Sequence, residues 1–177
     1  MVANIDPNGD ARLIQGLRFF KGSIGEYVWG VARGYGTGIN LEFGQPLLHV
    51  RQPRADLAGD GQDKVSKRWR SRLVTAVGEY RLWLQSCHWT ARSGNETITH
   101  AYSNALKADN ILSSISGQKL VDVVVLDKKM VLKFDLDGEL QISLAEEYEP
   151  DDDQFTMVTP EGSLSITLGN AESLSGD

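Results

Sequence analysis

Val77-Gly78-Glu79-Tyr80-Arg81-Leu82-Trp83-Leu84-Gln85-Ser86-Cys87-His88-Trp89-Thr90 is the stretch around which the chain is organised. It holds two of the four tryptophans, the single cysteine and one of the three histidines. From Tyr80 to Leu84, Tyr and Leu alternate with Arg81, and Trp83 breaks the alternation. This pattern predicts a core strand, buried on one face and partly covered on the other. The same stretch contains the one cluster that looks catalytic, Cys87 beside His88.

Outward from this strand, turns and short alternating runs dominate. Leu13 to Phe20 is apolar enough to be a strand entering the core. Glu26 to Arg33 alternates, with Tyr27, Trp29 and Val31 on one face and Val28, Gly30 and Ala32 on the other. Gly34-Tyr35-Gly36-Thr37-Gly38 reads as a hairpin turn: no lysine and no helix follow, so it lacks the parts of a phosphate loop. Ile39–Phe43 and Leu47–Val50 read as two strands about a tight turn, Gly44-Gln45-Pro46. Residues 51–76 are a loop insertion. Gly94 is a turn before a short strand, Thr97-Ile98-Thr99. Asn104 to Ser114 predicts a helix capped by Asn104, with an apolar stripe of Leu106, Ile111, Leu112 and Ile115, ended by Gly117. Strands follow over Leu120–Leu126 and Met130–Leu136, with a turn at Asp127-Lys128-Lys129. Asp137-Gly138 is a hairpin signal leading to Leu140–Leu144. Glu146 to Asp153 is an acidic loop. Phe155–Val158 and Leu164–Leu168 form a last hairpin about Pro160-Glu161-Gly162.

The two halves resemble each other. Leu13–Gly16 matches Ser114–Gly117; Leu41-Glu42-Phe43, with Leu48, matches Leu132-Lys133-Phe134, with Leu140; Gly94 before Ile98-Thr99 matches Gly162 before Ile166-Thr167. The expected fold is therefore mainly β, at the margin of α+β: two similar antiparallel meanders sharing one core, with a short helix between them. The expected division is a disordered N-terminus (1–11), a first β half (12–103) with the insertion 51–76, the helix with a second β half (104–169), and a polar tail (170–177).

In order, these features resemble a group of small uncharacterised bacterial proteins. Leu41, Phe43 and Gly44 fit its Leu-x-Phe-Gly strand, and Gly78, Glu79, Tyr80, Leu82, Gln85 and Trp89 fit its Gly-Glu-Tyr-x-Leu-x-x-Gln-x-x-Trp strand. The resemblance spans roughly residues 12–168 and implies no activity. In size, acidity and looped sheet, proteins of this style are similar to immunity proteins that neutralise toxins delivered between bacteria, an analogy rather than a motif match.

Charge gives the analogy chemical content. The formal net charge is −6, but residues 1–90 carry 12 Lys/Arg against 8 Asp/Glu, and residues 91–177 carry 6 against 16. Such asymmetry marks the acidic half for a basic partner. Glu146, Glu147, Glu149, Asp151, Asp152 and Asp153 are the candidate contacts, and Trp69 is a second, since tryptophan is a common interface anchor. The expected partner is a basic toxin protein, with homo-oligomerisation as the competing reading and an unrecognised enzyme as a third.

Other classes fit poorly. Lys64, Lys67, Arg68, Arg70 and Arg72 around Trp69 form a short basic run in an acidic protein, so nucleic-acid binding is not expected. Neighbouring strand residues point to opposite faces, so His88 is poorly placed to activate Cys87. The three histidines lack zinc-ligand spacing, and the acidic loop lacks the Asp-x-Asp-x-Asp-Gly order of a calcium loop, so no metal or other cofactor is expected. No apolar run approaches the ~20 residues that span a bilayer. Residues 1–10 lack the basic start and apolar run of a secretory signal, and the lone cysteine suits a reducing, cytoplasmic setting.

Overall fold

The computed structural model describes residues 10–34, 36, 38–54, 69–101 and 104–169, and the backbone of 171–174. The expected disorder of residues 1–9, the loop 55–68 with Lys64, Lys67 and Arg68, and residues 170 and 175–177 of the tail lie outside the described residues. Among the described residues, eleven strands form two antiparallel sheets accompanied by two α-helices, so the protein is mainly β. The elements run α1 (Ala11–Phe20), β1 (Val28–Arg33), β2 (Ile39–Arg51), β3 (Leu73–Leu84), β4 (Cys87–Ser93), β5 (Glu96–Thr99), α2 (Ala105–Ile115), β6 (Leu120–Leu126), β7 (Lys129–Phe134), β8 (Gly138–Leu144), β9 (Asp153–Thr159), β10 (Gly162–Thr167) and β11 (Ala171–Leu174).

Sheet I has the order β1-β2-β3-β9-β10-β11, and sheet II the order β5-β4-β8-β7-β6. Each half of the chain therefore makes a helix and a three-stranded meander, then sends its next hairpin into the other sheet. After β3 the chain leaves sheet I, and β4 pairs with β8; after β8 it leaves sheet II, and β9 pairs with β3. The predicted strand across residues 77–90 is thus two strands in two sheets, divided at Gln85-Ser86. Periodicity describes which face is buried, not which strand lies alongside, so this crossing was invisible in the alternation.

Leu13–Phe20 forms helix α1, not a strand. Leu13, Leu17 and Phe20 recur at helical spacing and are fully buried, and Gly16 joins them. Asp10 caps the helix by accepting from the Arg12 N–H at 2.9 Å, so ordered structure begins inside the span expected to be disordered. Hydrogen bonding to Arg12 holds the Asp10 carboxyl below its ordinary range. Gly16 admits Met157, whose Cε would lie 2.6 Å from a Cβ there. Helix α1 packs on β9 and β10 of sheet I and on β6 and β7 of sheet II, while α2 packs on β1 and on β4, β5 and β8. Each helix therefore bridges the sheets, and one apolar cluster joins both halves.

Several expected turns are present. Asn104 caps α2 by accepting from the Lys107 N–H at 3.0 Å, and Gly117 follows that helix at φ +89°. Asp127 and Lys128 (φ +49° and +59°) turn β6 into β7, and Asp137 (φ +64°) precedes β8. Leu106, expected in the apolar stripe of α2, is 70% exposed, and Ala108 takes the buried position instead. Ala171–Leu174 pairs with β10 as β11 where a polar tail was expected.

The matched Leu-x-Phe segments lie on the middle strand of each meander, and Phe43 stacks on Phe134 at 6.5 Å with planes 8° apart. Gly94 and Gly162 turn the two exchanged hairpins. Two other matches do not correspond: Leu13–Gly16 is inside α1 whereas Ser114–Gly117 ends α2, and Leu48 is 76% exposed whereas Leu140 is fully buried.

Ile39–Phe43 and Leu47–Val50 are one strand, β2, with a bulge where a turn was expected. Gly44 takes φ +72°, which a glycine adopts without strain. Its carbonyl accepts from Trp29 Nε1 at 2.8 Å, and its N–H donates to the Tyr27 carbonyl at 3.1 Å. Opposite, the Gly78 N–H donates to Glu42 Oε2 at 2.6 Å, and burial pushes the Glu42 carboxyl up. Beyond the bulge, Pro46–Arg51 pairs with Leu73–Gly78, whereas β1 reaches only to Phe43 and β9 only to Arg81. These residues form a two-stranded ribbon continuing sheet I past its third strands.

A Cβ on Gly78 would lie 2.7 Å from the Phe43 nitrogen, the Phe43 oxygen and the Tyr80 oxygen, all backbone atoms. Gly78→Ala is expected to lower unfolding stability by about 1–3 kcal/mol in urea titration. A loss within the roughly 0.5 kcal/mol typical of surface changes would show that the strands are not this close.

Candidate functional site

Where β3 leaves sheet I, a cleft of about 550 Å³ opens beside the acidic loop. Trp83 and Leu84 come from β3, Gln85 and Ser86 from the crossing, Asn40 from β2, and Tyr148 from the loop. Gly34, Gly36 and Gly38 form the opposite wall; the Gly34 N–H bonds the Gly38 carbonyl at 2.8 Å, closing the predicted hairpin, whose Tyr35 and Thr37 lie outside the described residues. Arg81 places its guanidinium 5.3 Å from the Trp83 ring centroid. The Gln85 amide donates to Thr156 Oγ1 at 3.3 Å, and Thr156 bonds Ser165 at 2.9 Å. The cleft thus has an aromatic surface, polar amide and hydroxyl groups, and a fixed backbone.

The acidic loop joins β8 to β9, and Glu146, Glu147, Glu149, Asp151, Asp152 and Asp153 are all exposed. Its base is anchored: the Ala145 N–H donates to Gln154 Oε1 at 2.8 Å, and Gln154 is fully buried. The Asp152 N–H bonds the Glu149 carbonyl, and the Gly169 N–H bonds the Pro150 carbonyl, both at 3.0 Å. No Lys or Arg occurs from Leu144 to Asp153. Glu147 is held by His88 Nε2 and has its carboxyl lowered by its own backbone N–H and by His88.

His88 stacks on His100, with ring centroids 4.2 Å apart. Pairing of Thr90 with Thr99 brings β4 beside β5 and places His100 there; nothing in the sequence signals that meeting. Desolvation, then the neighbouring His88, lowers the His100 pKa. A small pocket of about 160 Å³ completes this patch with Lys129, Gln141 and Ser143. Among the described residues, no group of three His, Cys, Asp or Glu side chains is placed to hold a metal.

Cys87 is 1% exposed, and burial pushes its thiol up to about 12. A thiol this protonated and enclosed is a poor nucleophile at neutral pH.

Trp69 is elsewhere. Arg51 lies over its ring, 4.2 Å from the centroid, and its carbonyl accepts from the Arg54 N–H at 2.8 Å. It therefore belongs to the far end of the ribbon. The 12 residues of β3 separate that end from the cleft by roughly 36 Å. The structure gathers the six carboxylates and leaves Trp69 at the opposite end. Sequence reading missed Trp83, Gln85, Ser86 and Tyr148 as a group; the apolar Trp83 breaking the alternation was the available signal.

No protein-family model, curated protein or solved structure matches this chain.

Native protein is expected to leave Cys87 unmodified by a disulfide-exchange reagent such as DTNB, and guanidinium is expected to release one reactive thiol. Rapid modification of the folded protein at neutral pH would contradict the buried, protonated state.

Proposed function

We propose that this protein is a non-enzymatic binding protein that docks a basic protein on its acidic end. The specific form is an immunity-type inhibitor of a bacterial toxin, acting in the cytoplasm. The observation that supports this is the cleft itself: Trp83 and Tyr148 provide aromatic surface beside a loop that carries six exposed carboxylates and contains no Lys or Arg. Aromatic anchors supply binding energy, while a single-sign rim speeds encounter and rejects acidic partners. Because the Ala145–Gln154 bond ties the two ends of the loop together and the Gly169–Pro150 bond holds its middle, little ordering cost accompanies docking. The inaccessible Cys87 thiol weighs against a Cys/His enzyme. No helix among the described residues is long and apolar enough to cross a membrane.

The test is a binding titration against any basic toxin domain encoded by a neighbouring gene, in wild type and in the triple variant Glu149→Gln, Asp151→Asn, Asp152→Asn. All three residues are exposed, so unfolding stability is expected to stay close to wild type. The association rate is expected to fall about tenfold or more at low salt. Equal binding by the variant, or no binding by wild type, would overturn the reading.

A further inference from the structure

The ribbon beyond the bulge has two unlike faces. Cross-strand pairs Leu48–Ala76 and Val50–Val74 put four apolar side chains on one of them. All four are exposed, Leu48 most of all at 76%. On the other face, His49 pairs with Thr75 and Arg51 with Leu73; Leu73, Thr75 and Val77 are only half-exposed. Arg51, Arg54, Arg70 and Arg72 lie at the outer end, and residues 45–54 and 69–78 contain no Asp or Glu. A bare two-stranded ribbon is marginal in water, and a contiguous exposed apolar face marks an interaction site.

We propose that the occupant of this face is a second copy of the chain. The ribbon of one copy lays Leu48, Val50, Val74 and Ala76 against Trp83 and Tyr148 of the other, and its arginines meet the partner copy's acidic loop. This rests on the acidic end being a docking site, as argued above, and adds what docks there. Apolar face meets aromatic cleft, and basic end meets acidic end. A ribbon cannot reach its own cleft, because the two lie at opposite ends of β3. Pairing ribbon to ribbon would cover the apolar faces but match neither basic end with an acidic one. An antiparallel two-fold pair satisfies both contacts at once and closes the assembly, whereas a head-to-tail contact would leave one ribbon and one cleft unfilled.

The experiment is size-exclusion chromatography with light scattering on the full chain, at low and high salt. A dimer is expected at low salt, with its dissociation constant rising at least tenfold at high salt. Two charge-reversed variants provide the decisive arm. Arg54→Glu with Arg70→Glu and Arg72→Glu gives the ribbon's outer end a net negative charge, and Glu149→Lys with Asp151→Lys, Asp152→Lys and Asp153→Lys gives the loop a net positive one. Each alone is expected to be monomeric. Mixed, they are expected to form a heterodimer, because both contacts are again between opposite charges, and this rescue also reports that both are folded. Leu48→Asp is expected to give a monomer at every salt concentration. A wild-type monomer throughout, or a dimer indifferent to salt and to both reversals, would overturn the proposal. If a basic protein still binds the acidic end of that monomer, only the self-pairing fails; if it does not, the docking site fails too.

Discussion

Hydrogen bonds from the Gln85 N–H to the Gln154 carbonyl (3.0 Å) and from the Ser86 N–H to the Asp153 carbonyl (3.3 Å) tie together the two points at which the chain changes sheet. Because of these crossings, neither sheet is built from one half. Sheet I lacks β9–β11 without the second half, and sheet II lacks β4 and β5 without the first. A meander of three strands has too little of its own to cover both faces. The exchange solves this by making each half complete the other's sheet, with α1 and α2 each packed across both sheets.

The functional geometry follows from the same crossing. The connection from β8 to β9 must bridge two sheets, and it carries the six carboxylates. The connection from β3 to β4 passes beside it, which brings Trp83, Gln85 and Ser86 next to Tyr148. At the other end of sheet I the constraint is the bulge. Gly44 and Gly78 let β2 and β3 run close together where their neighbours stop, and the Trp29 indole and the Glu42 carboxylate satisfy the backbone groups the bulge displaces. One long strand pair thus carries an acidic aromatic cleft at one end and a basic apolar ribbon at the other.

Local chemistry was legible in the sequence wherever one residue decides a conformation. Asn104 as a cap, Asp137-Gly138 as a hairpin, and Gly94 as a turn were read from side-chain oxygens and from tolerance of positive φ. Leu13–Phe20 was misread because a short apolar run fits both periods, and the deciding residues, Asp10 as a cap and Gly16 against Met157, act through partners. Gly44-Gln45-Pro46 reads as a turn by composition, and only the pairing of Leu47–Arg51 with Leu73–Val77 shows a bulge. The acidic loop was evident as a charge run, but its neighbours in the cleft come from strands more than sixty positions away in sequence. Pairing across such separations is set by the packed core and leaves no local mark.

Native-state hydrogen exchange tests the strand exchange most directly. The account predicts that amides in β3 and β9 of sheet I and in β4 and β8 of sheet II open only in global unfolding, with one shared free energy. Protection that separates by sheet, with one set of strands opening well before the other, would contradict it.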